Sequence, residues 1–394
     1  MELNPFAYEF HEDPYPTYRW LREHAPLYRN EALGFYALSR FKDVVAASAD
    51  WQTYSSAEGT LVERIDPAMF EAMPMMIFAD PPRHDRLRKL VSRTFTPRRV
   101  ADLEPFIRAT VVRLLDRLVE RGGGDFVKDF SAPLPMEVIF GMLGVPPDDR
   151  RQLRAWMDVS LERDHDTPVI PARAIEAMMN MGRYWFELLP AMRQQPNDGL
   201  ISGLLEAEIA TEAGGSTRLT DGEISGFCQL IGAAGNETVT KLLANAAVLF
   251  ARHPAEYAKV CADPGRIPNA VEEVLRYSSP SQYQGRTVTR DLEWYGKPVP
   301  KGSRILLLTG SANRDEREFA DPDRFDVERS VPTAFGFGYG VHFCLGASLA
   351  RLESRVALEE FVRRFPGYRI DESRCVRVHM SNVHGYESVP FTLG

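Results

Sequence analysis

The chain has 394 residues, of which 44% are hydrophobic and 26% charged, values that are ordinary for a globular protein. Its formal net charge of −8 gives no general attraction for nucleic acid or for an anionic membrane. The sequence has no run of about 18 apolar residues, and its first residues are polar and broken by prolines, so we expect neither a membrane anchor nor a signal peptide. The four cysteines form no CxxC pair, which argues against a zinc site or a disulfide framework and favours a reducing compartment, the cytoplasm.

The first 80 residues predict two helices, at 16–24 and 41–47, with a short strand between them around 34–38. Residues 51–80 have little periodicity and are rich in methionine and aromatic side chains. Such a cluster is more often core than ligand pocket. In an irregular segment it can also line an apolar pocket, because loops carry binding residues and methionine adapts to apolar ligands.

Basic residues dominate the next predicted helix, which Pro81 and Pro82 are suited to begin. His84 and Arg88 are four residues apart and therefore share one helix face. Without further information this is a solvated basic helix. After it, Thr96 is a typical N-cap for a helix that we expect to continue to about residue 119.

The middle of the chain is predicted to be helical. A helix over 134–143 precedes a long helical stretch at 148–196, which is interrupted around 164–171. The longest helix begins at a capping box of Thr220 and Glu223 and continues to about residue 252, roughly 48 Å at 1.5 Å per residue. Its centre, 232–240, contains two glycines and two threonines and is a poor helix former. Such a conflict is typical of a functional site, where small residues admit a flat group.

The remaining sequence predicts one more helix, at 268–277, and then short strands and hairpins that include Arg286. Glu273 and Arg276 are three residues apart, a spacing that usually gives a minor surface pair. The fold class predicted from these elements is mainly α with small β-sheets, an α+β protein.

The densest motif is 337–346, Phe-Gly-Tyr-Gly-Val-His-Phe-Cys-Leu-Gly, and a helix pattern begins directly behind it. Cys344 ends this glycine-rich loop, where free backbone N–H groups and the helix dipole favour a thiolate, a good ligand for a soft metal. Two other interpretations exist for such features. A lone cysteine is most often a small buried apolar residue, and a glycine-rich loop before a helix can bind phosphate.

The pattern Phe-Gly-x-Gly-x-His-x-Cys-x-Gly resembles the haem-binding signature of the cytochromes P450. The resemblance implies a haem b whose iron is bound by the Cys344 thiolate. Around this ligand it implies cofactor contacts from Phe337, Gly338, His342 and Gly346. Every fixed position of the signature is matched.

Three further motifs resemble the same family and occur in its order. Residues 234–238, Ala-Gly-Asn-Glu-Thr, resemble the motif in which Ala234 and Gly235 lie against haem. In that motif Glu237 and Thr238 deliver protons to iron-bound dioxygen through ordered water. The alternative for Glu237 is a glutamate that faces solvent.

The resemblance also assigns cations and a structural group. Haem brings two carboxylates into an apolar slot, and the family's hydrogen-bond donors for them correspond to four residues of this chain. These are His84, Arg88, Arg286 and His342. Glu273, Arg276 and Arg329 correspond to the buried group that fixes the protein around the cysteine loop.

By this resemblance, residues 1–394 form a single cytochrome P450 domain that is a haem-thiolate monooxygenase. It would insert one oxygen atom from O2 into a small, largely apolar substrate by hydroxylation or epoxidation. Electrons would come from NAD(P)H through an external ferredoxin reductase and ferredoxin, because no part of the chain resembles a fused reductase. Two alternatives are a peroxide-driven peroxygenase, which tends to lack the acid–alcohol pair, and a haem-thiolate binding protein without turnover.

Two surfaces follow from this interpretation. Basic residues are expected to meet an acidic ferredoxin or, alternatively, to be solvated helix faces: Arg86, Lys89, Arg93, Arg98, Arg99, Arg351 and Arg355. The substrate pocket is expected to be largely apolar and lined by Met76, Ile77, Phe78, Met178, Met179, Ile231, Ala234, Ser281, Tyr283, Val383 and His384. In this set Tyr283 and His384 could hold a polar group or be packed side chains.

Overall fold

The structure is a computed structural model that describes residues 1–162, 164, 167, 169–210, 215–331, 334–380 and 382–394. Its α-helices are α1 (Tyr8–Glu12), α2 (Tyr15–His24), α3 (Phe41–Ala49), α4 (Arg83–Thr94), α5 (Pro97–Ala101), α6 (Glu104–Glu120), α7 (Pro133–Leu143), α8 (Arg150–Leu161), α9 (Ala172–Gln194), α10 (Leu200–Glu206), α11 (Asp221–Arg252), α12 (Pro254–Ala262), α13 (Ile267–Tyr277), α14 (Thr309–Ala312) and α15 (Ala347–Arg364). Its strands are β1 (Leu27–Asn30), β2 (Phe35–Leu38), β3 (Tyr54–Ser55), β4 (Gly123–Asp125), β5 (Glu208–Ala210), β6 (Ser216–Arg218), β7 (Gln284–Val288), β8 (Leu292–Trp294), β9 (Lys297–Val299), β10 (Arg304–Leu307), β11 (Tyr368–Ile370), β12 (Val376–Arg377), β13 (Tyr386–Ser388) and β14 (Pro390–Leu393).

Helix α11 is the 32-residue element around which the other helices pack. It begins at the predicted capping box: the Glu223 N–H donates to Thr220 Oγ1 at 3.2 Å, and the Thr220 N–H donates to Glu223 Oε2 at 2.9 Å. Helices α7, α9 and α15 pack against it. The main apolar core forms along this helix, and it includes side chains from α6, α7 and α15.

The largest sheet has the strand order β1-β2-β10-β7-β3. Strand β10 is parallel to β2 and antiparallel to β7, so that Arg286 lies opposite Ile305. Alternate residues of β10 point to opposite faces: Ile305 joins one small apolar cluster and Leu306 joins another. The sheet therefore holds Arg286 in a strand that is buried along most of its length.

The prediction of a mainly helical protein with small sheets is confirmed, and two details of the prediction are wrong. The single helix expected from Thr96 to about 119 is divided into α5 and α6. The cause is Pro105, which lacks an N–H and would clash with the carbonyl of residue 101 in a continuous helix. Several short elements were not predicted, among them strands β1 and β4 and helices α1 and α12. Among the described residues, no helix has both the length and the apolar character that a membrane span requires.

Candidate active site

The loop before α15 holds Cys344 by its own backbone. The Cys344 N–H donates to the Phe337 carbonyl oxygen at 2.8 Å, and the helix begins three residues later. Solvent reaches the cysteine side chain, although protein surrounds most of it. Burial raises the pKa of the Cys344 thiol, and this effect outweighs the Gly346 N–H and the cations of Arg88 and Arg351, which lower it.

The expectation that the loop by itself favours a thiolate is therefore wrong. The Gly346 N–H acts in the expected direction, but the cost of a charge in this partly apolar environment is larger. A metal ion reverses this balance, because a coordinating thiol loses its proton outright. A bound metal would therefore favour the thiolate of Cys344 against the effect of burial.

Glycines in this loop serve the packing of the protein. Gly338 and Gly340 have positive φ values of 73° and 72°. A Cβ on Gly340 would lie 2.6 Å from the carbonyl oxygen of Ser48, and a Cβ on Gly336 would lie 2.8 Å from Leu275 Cβ. The loop can therefore turn sharply and lie close against α3 and α13 only because these positions have no side chain.

The four residues predicted to meet propionates are brought towards one place by three separate segments. His84 lies on α4 and its ring centroid is 4.5 Å from that of His342 in the cysteine loop. Burial lowers the pKa of His342 to about 3, and the positive charges of Arg286, His84 and Arg88 lower it further. Burial likewise lowers the pKa of Arg286 to about 10. Positive charge is therefore concentrated around a histidine that stays neutral.

This cluster has few anions of its own. His84 is 1% exposed, its Nδ1 is 3.0 Å from Asp85 Oδ1, and its Nε2 has no hydrogen-bond partner among the described residues. The carboxylate that acts on Arg286 is Asp80, which already accepts from the Ser56 N–H at 2.9 Å. Since buried cations are costly without counter-charges, the cluster fits an anionic group. The two carboxylates of haem are such a group.

Ser56 is a member of this cluster that the motifs did not indicate. Its hydroxyl is 3.1 Å from His342 Nε2 and joins β3 to the cysteine loop. Asp80 receives the Ser56 N–H and the Ser55 hydroxyl. A serine in an irregular segment carries no recognisable signal, so only the folded chain reveals these contacts.

One face of α11 is accessible although the rest of the helix is buried. Six residues between positions 222 and 250 are not buried: Leu230, Ile231, Ala233, Ala234, Gly235 and Thr238. Their spacing of three and four residues puts most of them on one side of the helix. The Thr238 hydroxyl donates to the Ala234 carbonyl oxygen at 2.9 Å. This side of the helix therefore borders an open space with mostly apolar groups and one hydroxyl.

Position 235 requires a glycine for a reason that differs from the predicted one. A Cβ at this position would lie 2.5 Å from Ile139 Cδ1, so the missing side chain allows α7 to approach α11. A Cβ on Gly232 would similarly lie 3.3 Å from Met157 Cε. Gly232 and Gly235 thus permit close helix packing. A cofactor contact of Gly235 stays a prediction.

Glu237 is buried, so the alternative of a glutamate that faces solvent is wrong. Its Oε2 lies 3.0 Å from Lys241 Nζ, and the two side chains are 8% and 5% exposed. Burial raises the pKa of Asp158 on α8 to about 6, and the negative charge of Glu237 raises it further. Lys241 was missed, although its i+4 spacing from Glu237 was a readable signal.

Glu273, Arg276 and Arg329 form one buried group. Arg276 donates to Glu273 with Nε at 2.7 Å and Nη2 at 2.8 Å, and both side chains are fully buried. Arg329 Nε lies 3.3 Å from the same carboxylate. Arg276 also donates to the carbonyl of Asn313 at 3.0 Å, so the pair binds the segment that precedes the cysteine loop. This arrangement is unlike a minor surface pair.

The pocket candidates are distributed over several environments. Ile77, Phe78, Met178 and Val383 are half-buried, as is Ile231 on the accessible side of α11. Met76 belongs to the main apolar core.

Three pocket candidates lie elsewhere. Tyr283 is 1% exposed inside the apolar cluster that contains Leu306, because alternate residues of an extended segment face opposite ways. Met179 is 63% exposed on the surface of α9. His384 is buried next to Arg377. These placements correct the prediction for Tyr283 and Met179 and make His384 a packed side chain.

The basic surface is smaller than predicted. Arg86 pairs with Glu223 and donates to the Arg218 carbonyl, and Arg93 donates to the Glu208 carbonyl, so both turn towards β5 and β6. Arg351 pairs with Glu272 at 2.6 Å, and Arg355 pairs with Glu104 at 2.6 Å. Lys89 and Arg98 are exposed.

Comparison with known proteins gives one consistent result. A family model described as Cytochrome P450 matches residues 267–372. A protein of Mycobacterium tuberculosis that bears the name cytochrome P450 123 is 44% identical and covers 99% of this chain and 96% of its own length. The steroid C26-monooxygenase of the same organism is 36% identical over 95% of this chain and 92% of its own. The structure of cytochrome P450 CYP109Q5 from Chondromyces apiculatus has a TM-score of 0.88 and 34% identity, and the match covers 99% of this chain and 97% of that one.

Proposed function

This chain belongs to the cytochrome P450 family and is a monooxygenase of that family. On this basis we propose the following roles for its residues. The observation that carries the proposal is the pairing of Cys344 with a nearby cluster of cations. Cys344 would bind the iron of haem b through its sulfur, with Phe337, Gly338 and Gly346 around it. His84, Arg88, Arg286 and His342 would hold the two carboxylates of the haem. When bound, the haem iron supplies the activation of O2 and the transfer of one oxygen atom to carbon.

Thr238 and Glu237 together form the proton relay in this proposal. The Thr238 hydroxyl donates a hydrogen bond to the Ala234 carbonyl oxygen, so its own oxygen can accept a hydrogen bond from water on the accessible side of α11. The Glu237 carboxylate is buried next to Lys241, which stabilises its charge. Asp158 is half exposed and electrostatically coupled to Glu237, which suits the solvent end of a proton path. Thr238 positions the water, and Glu237 exchanges the proton.

The substrate is a largely apolar organic molecule. Support comes from the accessible side of α11, where Leu230, Ile231 and the alanines present hydrocarbon. Ile77, Phe78, Met178 and Val383 complete the proposed pocket. The steroid C26-monooxygenase among the relatives is named for a substrate of this kind. The products would be an alcohol or an epoxide.

Electrons come from NAD(P)H through a ferredoxin reductase and a ferredoxin, in the cytoplasm. The exposed cations Lys89 and Arg98 offer a small docking surface, because the other arginines predicted for it have partners within the chain. A ferredoxin attracted by these cations would lose reduction rate steeply as salt is added. A rate that does not respond to salt would contradict electrostatic docking.

The test of the proposed function is a reconstituted reaction. Purified enzyme with ferredoxin, reductase and NAD(P)H should convert a bound apolar substrate to a hydroxylated or epoxidised product, with NADPH consumed in proportion. The substrate is found first by a screen of steroids, fatty acids and terpenes for a shift in the haem absorption spectrum. Turnover with hydrogen peroxide alone, at a rate equal to that of the complete system, would refute the proposed electron supply.

A further inference from the structure

The end of strand β3 carries a buried serine that touches the cysteine loop. Ser56 directly follows β3 and is fully buried. Its hydroxyl oxygen lies 3.1 Å from Nε2 of His342, which stands two residues before Cys344. This nitrogen is the one hydrogen-bond partner that the described residues offer to the Ser56 hydroxyl. The contact therefore joins Ser56 to one of the four residues proposed to meet the haem carboxylates.

The chain holds Ser56 in place from two sides. Its neighbour Ser55 is paired with β7, the strand that carries Arg286. The Ser56 N–H donates to Asp80 Oδ1 at 2.9 Å, and the Asp80 carbonyl oxygen accepts from the His84 N–H at 2.9 Å. Ser56 is therefore fixed relative to Arg286 and His84, two other members of the proposed cofactor site.

The hydrogen bond between Ser56 and His342 has a direction that follows from the chemistry of the two groups. A buried hydroxyl needs an acceptor for its proton, and within the described part of the chain Ser56 has only the imidazole nitrogen. The serine O–H therefore donates and Nε2 accepts. When Nε2 accepts, the ring carries its proton on Nδ1. Ser56 thus selects the tautomer of His342 in which Nδ1 is the donor.

The Nδ1 atom of His342 is available to a bound group. His342 is half-buried, and its Nδ1 neither has a hydrogen-bond partner among the described residues nor is enclosed by protein. Arg286, His84 and Arg88 are close enough to act electrostatically on the ring. A ring that donates from Nδ1 offers an anion a hydrogen bond in this group without adding a further positive charge to it.

We propose that Ser56 is a positioning residue for the cofactor, which donates to His342 Nε2 and thereby directs the Nδ1–H of His342 towards a carboxylate of haem. The inference rests on the proposed function, because this carboxylate belongs to the haem b that Cys344 would bind. Ser56 is enclosed and acts only through the histidine ring. Without its hydroxyl, neither the orientation nor the tautomer of the ring is fixed.

Two properties of the holoenzyme depend on this donor. A carboxylate that loses a hydrogen bond holds the cofactor less firmly, so haem is lost faster. Its negative charge is also less well neutralised, which favours ferric over ferrous iron and lowers the reduction potential. A serine that only filled space would affect packing but not the potential.

The test compares the purified holoenzymes of the wild type, Ser56→Ala and Ser39→Ala. Ser39 is the matched control, because it is buried and its hydroxyl has no partner among the residues that the structure describes. Haem loss is measured as transfer to excess apomyoglobin, and the reduction potential by spectroelectrochemical titration. Ser56→Ala should lose haem about fivefold faster and have a lower potential, whereas Ser39→Ala should match the wild type in both. Both variants should keep the red-shifted Soret band of the reduced carbon monoxide complex, since Cys344 is unchanged.

A second pair of variants shows whether Ser56 acts through the histidine. In a His342→Leu background, the effect of Ser56→Ala on haem loss should shrink to less than about twofold. An equally large effect in both backgrounds overturns the proposal, and so does a Ser56→Ala enzyme with the haem loss and potential of the wild type. If His342→Leu does not retain haem, the potential of Ser56→Ala against that of Ser39→Ala decides. A wild type without the red-shifted band refutes the proposed function and this inference with it, whereas a normal band with an unaffected Ser56→Ala enzyme refutes the inference alone.

Discussion

Replacement of Lys241 by methionine tests how α11 holds its buried acid. Lys241 Nζ lies 3.0 Å from Glu237 Oε2, and the two side chains are 5% and 8% exposed. Removal of one partner of a buried ion pair typically costs about 3–5 kcal/mol, because the other charge is left without compensation. Methionine is unbranched like lysine and one atom shorter, so it replaces most of the stem. This stem packs closely against Gly385, where an added Cβ would lie 2.6 Å from Lys241 Cβ. We therefore expect Lys241→Met to lower the free energy of unfolding by about 3 kcal/mol or more.

The assay is urea denaturation of the wild type, Lys241→Met, Glu237→Gln and the double variant. The double variant should be more stable than Lys241→Met, because it no longer buries an unpaired carboxylate. Lys259→Met is the matched control: this lysine is 38% exposed between Glu256 and Glu328, and its loss should cost at most about 1 kcal/mol. If Lys241→Met is as mild as the control, or the double variant is less stable than both single variants, the reasoning about the buried pair is wrong.

Three more predictions concern single residues. Thr238→Ala should release more hydrogen peroxide per NAD(P)H consumed, whereas the control Thr240→Ala, whose hydroxyl donates to buried carbonyls, should not; equal leakage would contradict the proton role of Thr238. Burial raises the pKa of Glu353 to about 8, so the wild type should lose stability as pH rises from about 4.5 to about 8, by at most about 3 kcal/mol at pH 7. Glu353→Gln should remove this dependence of stability on pH. If denaturation shows the same dependence for the wild type and Glu353→Gln, the prediction for Glu353 is wrong. Gly340→Ala should lower the melting temperature and weaken haem retention, because the residue has φ 72° and its Cβ would lie 2.6 Å from a carbonyl oxygen; Gly367→Ala, whose Cβ would meet no described atom within 4 Å, should do neither.

Local signals in the sequence were sufficient for most helices. The capping box at Thr220 and the apolar spacing behind Cys344 predicted the start of α11 and the position of α15. These signals work because caps and helix faces depend on residues close in sequence. Pro105 carried an equally local signal and was overlooked, which is why α5 and α6 were joined. The single domain expected over 1–394 stays a prediction.

The parts that failed depend on distant residues. The pairing of β7 with β10 decides on which face of the sheet Tyr283 lies. The direction of the Arg86 side chain is set by its contact with Glu223, which is 137 positions further along the chain. The accessible side of α11 was predicted in part, since Ile231, Ala234, Gly235 and Thr238 had been assigned to the cofactor and the pocket and all four lie on it. The role of Lys241 could be predicted only in part, since the sequence shows its spacing from Glu237 but not its burial.

The central claim is that Cys344 binds the haem iron as a thiolate. The most direct measurement is the absorption spectrum of the reduced carbon monoxide complex, which for a thiolate-ligated haem has a red-shifted Soret band. We predict that the wild type and the control Cys261→Ser, a half-buried cysteine, show this band and that Cys344→Ser does not. An unchanged band in Cys344→Ser would contradict the assignment of the ligand.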